Sequence, residues 1–274
     1  MYCREARSFT VYRNLRVYPV RCGVVNMDNS SFISRARKKV KEGLSIDDLI
    51  RKLIAFSDSL EKGENTIFEQ LNDLYFLYYP EAADKLKERD SFIKVLKESC
   101  DRKSVSEKTE VSAESMGYDF EEEDIQLLSL SINEISNIAD LRKIVNDRLH
   151  DIVKKNYPNL TAVLGAEIAA RAIYLAGSAY SLMLMPSSKI QVLGAEKAMF
   201  AARKKKATPK YGVIYNHELM ISVPDNLKGK TAKIIAAYSS LAAKTDVLSK
   251  EDKSGKIMEK MLKDINKARE KNGT

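Results

Sequence analysis

The chain has 274 residues, enough for a sizeable core and one or two folded units, which excludes a mini-protein dependent on disulfides or metal. Its 46 Lys and Arg against 38 Asp and Glu give a net charge of +8, a balance that suits an anionic partner without naming it. Three cysteines, Cys3, Cys22 and Cys100, form no C-x-x-C pair, and no apolar run approaches the roughly 20 residues of a membrane helix, so the composition fits a soluble protein of the reducing cytoplasm.

Along the chain the charge is about +7 over residues 1–45, about −9 over 46–160 and about +10 over 161–274, so a polyanion would meet the ends and be repelled by the middle. Residues 1–30 alternate basic with apolar or aromatic side chains (Val11, Tyr12, Arg13, Leu15, Arg16, Val17, Tyr18), a pattern of one or two short strands. From Ser31 a helical pattern begins with the basic cluster Arg35, Arg37, Lys38, Lys39 and Lys41. Leu49, Leu53, Phe56, Leu60, Ile67, Leu71, Leu74 and Tyr78 then recur at steps of three, four or seven, one stripe of a long helix ending before Pro80. A further helix through Ala83, Leu86, Phe92 and Leu96 is compatible with the pattern. Residues 99–118 are polar and aperiodic and predict a loop or flexible tip.

A second long helix follows, its acidic start at Asp119 and Glu121 to Asp124 suited to the positive end of the backbone dipole. Its stripe is Ile125, Leu128, Ile132, Ile135, Ile138, Leu141, Val145, Leu149 and Ile152, stopping at Pro158. Periodicity alone also fits two core helices of one bundle; the acidic character of the remaining faces favours an antiparallel coiled coil over 31–158. Past Asn159 small residues dominate (Gly165, Ala166, Ala169, Ala170, Ala172, Ala176, Gly177), which lets helices approach closely and predicts a compact all-α domain over 159–250, with a basic helix or tail over 251–274. Helices are expected at 194–206, 228–245 and 251–271, with 207–227 as an irregular connector.

The most informative stretch is Pro186-Ser-Ser-Lys-Ile-Gln-Val-Leu-Gly-Ala-Glu-Lys-Ala-Met-Phe200, followed by Ala-Ala-Arg-Lys-Lys-Lys206. It offers hydroxyls in a Pro-Ser-Ser turn, then a helix start at Gly194 and Ala195 with little bulk in front of its backbone N–H groups, an arrangement suited to phosphate. Arg203 to Lys206 supply a basic end, although a basic run is more often a merely solvated helix end.

This stretch closely resembles the signature of the Nop-domain family, the core proteins of box C/D guide ribonucleoproteins and a spliceosomal relative. The resemblance extends to Tyr157-Pro-Asn-Leu-Thr-Ala-Val-Leu-Gly165, Ala169-Ala-Arg171, Leu175-Ala-Gly177, Lys210-Tyr-Gly-Val-Ile-Tyr215 and Gly229-Lys230, and more loosely to Leu77-Tyr-Tyr-Pro-Glu81 and Met116-Gly-Tyr-Asp-Phe-Glu-Glu-Glu-Asp-Ile125, covering about residues 35–250. It implies an RNA-binding scaffold, not an enzyme, that recognises the joint surface of a kink-turn RNA and its small binding protein and supports RNA 2′-O-methylation. Gly194, Ala195, Glu196 and Lys197 would meet that joint surface. Ser187, Ser188, Gln191, Lys197, Arg203, Lys204, Lys205, Lys210 and Tyr215 would contact RNA. Val192, Leu193, Met199 and Phe200 are expected to pack in the core. The family's coiled coil pairs two copies, which implies self-association. Family members carry an N-terminal domain that holds fibrillarin, whereas residues 1–30 are a short segment, so a paralogue without fibrillarin recruitment, closer to the spliceosomal scaffold, is the alternative. A purely protein-interacting coiled-coil scaffold is the rival of a different class.

Other readings fall away. Pro224-Asp-Asn-Leu-Lys-Gly-Lys-Thr231 has a proline where a P-loop needs its first glycine. His150 and His217 lack metal-ligand spacing, so no metal or cofactor is expected. The 251–271 segment could lie on a membrane as a basic amphipathic helix, but a flanking helix of the RNA-binding domain fits it better.

Overall fold

The computed structural model describes residues 29–195, 198 and 209–270. Those residues are helical, with no strand among them; the strands expected near the N-terminus fall on residues 1–28, outside the described part. No described helix is long and apolar enough to cross a membrane.

The chain divides after Leu44 into two units. In the first, α1 (Asn29–Gly43) carries the basic cluster, with Phe32, Ile33 and Val40 exposed. The second opens with α2 (Ile46–Tyr78), which starts where Ser45 and Asp48 form a capping box, each side chain accepting from the other's backbone N–H. Its partner α6 (Glu122–Asn156) begins with the same device in Glu121 and Asp124, within the acidic run the sequence marks as a helix start. The two pair antiparallel: from one end to the other Asp47 meets Tyr157, Ser57 meets Asn146, Glu64 meets Arg142 and Tyr78 meets Phe120. At 33 and 35 residues, each spans about 50 Å.

The buried stripe of α2 shares Leu71 and Tyr78 with the one the periodicity singles out and otherwise differs from it. Ile50, Ile54, Leu71, Tyr75 and Tyr78 face inward, while Leu49, Phe56, Ile67 and Leu74 stay exposed. The helix has two apolar faces, so a regular period fixes its type but not its phase. Glu64 occupies the inward face at 1 % exposure, with Arg89 Nη1 at 3.3 Å and Arg142 Nε at 3.0 Å. A buried carboxylate of this kind needs its cations, because removing one partner leaves the charge uncompensated.

Of the expected loop over residues 99–118, Arg102–Thr109 form a helix and the rest is irregular, as the pattern predicts. Residues Pro80–Lys85 (α3), Arg89–Glu98 (α4) and Arg102–Thr109 (α5) close over the end of the coiled coil around Tyr75, Tyr78, Tyr79, Phe92, Leu96, Val105, Leu128 and Ile132. Arg102 donates to the Tyr78, Gly117 and Tyr118 carbonyls and to Asp119, its guanidinium 4.5 Å from the Tyr78 ring centroid. Glu81 accepts from Ser115 Oγ and Met116 N, and Tyr79 OH donates to Ser112 O. Polar residues with no apolar period are ordered here by long-range side-chain bonds to backbone, which no local pattern reveals. The two loosely matching motifs, Leu77–Glu81 and Met116–Ile125, thereby become neighbours.

The small-residue region forms the second core. Pro158–Leu164 (α7), Ala166–Ala176 (α8), Ala179–Leu184 (α9) and Ser187–Gln191 (α10) are followed by the 3₁₀ turn Val213–Asn216, Glu218–Ile221 (α11), Asp225–Lys244 (α12) and Ser254–Glu270 (α13). Helix α12 packs on α7, α9, α10 and α13, and its Ala232, Ala236, Ala242 and Ala243 are fully buried, as are Ala169 and, to within 1 %, Ala170 and Ala172 of α8. Polar groups at helix ends tie this core together. Asp246 accepts from the backbone N–H groups of Asn159 and Leu160 and from Asn159 Nδ2, capping α7. Asp47, at the start of α2, accepts from Tyr157 OH and from Ala179 N at the start of α9. Arg171 holds Asp58 with two bonds of 2.7 and 2.8 Å, joining α8 to α2.

A candidate nucleic-acid interface

The resemblance places the site on residues 186–206 and 210–215, and the described part of it is two segments locked side by side. Pro186 precedes α10, so the Pro-Ser-Ser stretch read as a turn begins a helix at Ser187. Ile190 (1 % exposed) and Leu193 (2 %) anchor this segment in the core. Gln191 O accepts from Gly212 N at 3.0 Å, Leu193 O accepts from Val213 N at 2.8 Å, and Gln191 Nε2 donates to Lys210 O at 3.1 Å. Gly212 makes the approach possible: a Cβ there would lie 1.9 Å from Leu193 O. In the sequence Gly212 falls inside an expected connector, and the Lys-Tyr-Gly motif is the signal that could have singled it out.

Gly194 does not begin a helix as expected. Its φ of 87° is in the left-handed region, and Ala195 N closes a turn onto Val192 O, so the chain reverses here. Gly194 and Ser188 are exposed, Ser187, Gln191 and Ala195 half-buried, and Lys189, Lys210 and Tyr215 exposed. The bonds between the two segments form a ledge in which Gln191 lies beside Lys210 and Gly212 and Leu193 beside Val213; Ser187 and Ser188 belong to the same helix as Gln191, Gly194 and Ala195 follow Leu193, and Tyr215 follows Val213. Glu196, Lys197, Met199, Phe200, Arg203, Lys204 and Lys205 lie outside the described residues.

Beside the ledge, the Tyr211 and Tyr215 rings stack with centroids 5.8 Å apart and planes 22° apart. Lys228 Nζ lies 5.4 Å from the Tyr215 centroid and 2.7 Å from Asp225 Oδ1, a bond that raises the ammonium pKa. His217 behind it is structural: Nδ1 accepts from Leu219 N, so the proton is on Nε2, which donates to Val163 O. Burial holds this imidazole below its ordinary pKa. Asn159, which the sequence marks only as part of the Tyr157–Gly165 motif, is fully buried in the Asp246 clasp.

Fold and site together define an all-α protein in which a two-helix coiled coil carries a compact helical body with a backbone ledge, exposed cations and no metal-binding group among the described residues. Residues 56–271 match the family model Nop, described as snoRNA binding domain, fibrillarin, and the chain belongs to that family. It is 31% identical over 249 residues to nucleolar protein 58 of Schizosaccharomyces pombe, covering 85% of this chain and 49% of that one. It is 32% identical over 240 residues to an uncharacterized NOP5 family protein of Methanocaldococcus jannaschii, covering 82% and 58%. The chain thus spans about half the length of these relatives. A solved crystal structure of a fibrillarin/Nop5p complex shares the fold with a TM-score of 0.55 at 22% identity, over 92% of this chain and 86% of that one.

Proposed function

We propose that the chain is an RNA-binding scaffold of a box C/D-type guide ribonucleoprotein, working by binding alone. The ledge of residues 187–194 and 210–215, built by the Gly212 approach within the family-matched region, carries this reading. In it Gly194, Ala195, Glu196 and Lys197 face a kink-turn RNA and the small protein that grips it, while Ser187, Ser188, Gln191, Lys210 and Tyr215 contact RNA together with Arg203, Lys204 and Lys205. The body over 159–250 is the RNP-binding domain, and the acidic coiled coil is a spacer kept off RNA by its charge.

Two partners belong to the same proposal. Fibrillarin is supported by the family description and by the structural neighbour, which is a complex with fibrillarin. Self-association is supported by the exposed apolar positions Leu49, Phe56, Ile67 and Leu74 of α2 and Leu127, Leu130, Leu141 and Ile144 of α6, which the intramolecular seam leaves uncovered. The same exposed face favours, as a second reading, a scaffold whose partners are proteins only. The compartment follows the RNP: the cytoplasm in a cell without a nucleolus, the nucleolus in one that has it.

Binding measurements separate the two. The RNP reading requires weak binding to naked kink-turn RNA, much tighter binding once the small protein is loaded, and loss of the tight binding on Lys197→Ala, Arg203→Ala or Gly212→Val. Neutralising about four phosphates gives a log-log salt slope near −3. Affinity indifferent to salt and to all three substitutions would leave the protein-only scaffold.

A further inference from the structure

We propose that Tyr211 and Tyr215 form a stacking platform for an unpaired nucleobase, with the Lys228 ammonium, held over the Tyr215 ring, for the adjoining phosphate. This rests on the RNA-binding reading and adds to it a subsite that sees a base and not only the backbone.

The geometry distinguishes the pair from ordinary core packing. Tyr211 is half-buried and packs against the core, whereas Tyr215 keeps 51% of its surface in solvent. An aromatic ring is a large apolar surface to leave in water, and this one is held there. Its backbone lies in the 3₁₀ turn Val213–Asn216, with Tyr215 N donating to Gly212 O and the neighbouring Ile214 buried to 1%. The ring is therefore preorganised, so little ordering entropy remains to be lost on binding.

The near-parallel Tyr211 ring already forms the lower step of a stack, and any base, having a π-face, can continue it. Lys228 is oriented by Asp225, its side chain 18% exposed, which sets a positive charge over the Tyr215 ring, 5.4 Å from its centroid. The platform also adjoins the ledge: Val213 N, between the two tyrosines, donates to Leu193 O next to the Gly194 turn. RNA whose backbone lies along the ledge would bring an unstacked loop or bulge nucleotide to the rings, the form in which RNA is read by stacking.

The test uses the full chain and a short single-stranded RNA, compared with an oligomer of the same length whose riboses carry no bases. The base-bearing RNA is expected to bind about tenfold tighter, the effect of one base on an aromatic side chain. Tyr215→Leu removes that preference, Tyr215→Phe keeps it, and the abasic oligomer binds all three proteins alike. Circular dichroism melting checks that Tyr215→Leu, a change at an exposed ring, stays folded. Equal affinity of the wild type for the two oligomers, or a preference that survives Tyr215→Leu, overturns the platform. Failure of the wild type to bind the kink-turn complex, with the base preference intact, would instead sink the RNP reading and leave the platform standing.

Discussion

At its tip the molecule is built from large rings: Tyr75, Tyr78, Tyr79 and Phe92 fill the core, and Arg102 and Glu81 satisfy the backbone of the strap that crosses them. At its base the core interleaves alanines with Ile, Leu and Val, and the polar work is done by carboxylates and an imidazole that cap helix starts: Asp47, Asp246 and His217. The difference lies in how backbone groups find partners. At the tip Arg102 takes up three carbonyls and Glu81 one N–H, whereas at the base the carboxylates and the imidazole accept from N–H groups at helix starts, consistent with one region being mostly strap and the other mostly helix ends. The base thereby gains rigidity directly behind the ledge, whereas the tip forms a separate core remote from it.

The largest effect expected from this contrast comes from Phe92, fully buried and edge-on to Phe68 and Tyr75 at 5.4 and 5.5 Å. Phe92→Ala should cost about 3–5 kcal/mol. Hydrogen exchange should show the loss confined to α3–α5 and the helix turns they cover, with α7, α8 and α12 protected as before. Equal loss in both regions would mean one cooperative core and would break the comparison.

A smaller effect concerns the base alone. His217 has its pKa lowered by burial, so between the folded value and the ordinary 6.5 the unfolded chain binds more protons than the folded one. The stability it contributes is present above about pH 6.5 and is lost as pH falls through the folded pKa. Protonation would also put a hydrogen on Nδ1 where Leu219 N donates. His217→Asn keeps a capping acceptor and should flatten this slope in thermal melts taken between pH 7 and pH 5; an unchanged slope would assign the dependence elsewhere.

How much was legible in the sequence divides along the same line. The long helices were, because Leu128, Ile132, Ile135, Leu149 and Ile152 recur over many turns and bury as their spacing requires. On α2 the type was legible and the facing only in part, since Leu71 and Tyr78 of the periodic stripe bury while Leu49, Phe56, Ile67 and Leu74 stay exposed, and Glu64 lies on the buried side. At the tip the helix at Arg102–Thr109 and the bonds that hold the strap were illegible, because Arg102 bonds carbonyls 15 to 24 residues away. At the site, the Pro186–Phe200 signature singled out its segment by resemblance alone. Physical reading of that segment put a helix start at Gly194, where the backbone turns, and gave no hint that Gly212 brings the second segment against it.

The central claim is that the Gln191–Gly194 ledge docks onto RNA already folded by a small protein. Hydrogen exchange of the chain, free and bound to that binary complex, tests it at residue resolution. Slowed exchange at amides within 187–195 and 210–216, with the middle of α6 unchanged, is the predicted result. Protection confined to α2 and α6, with the ledge exchanging as in the free chain, would contradict it.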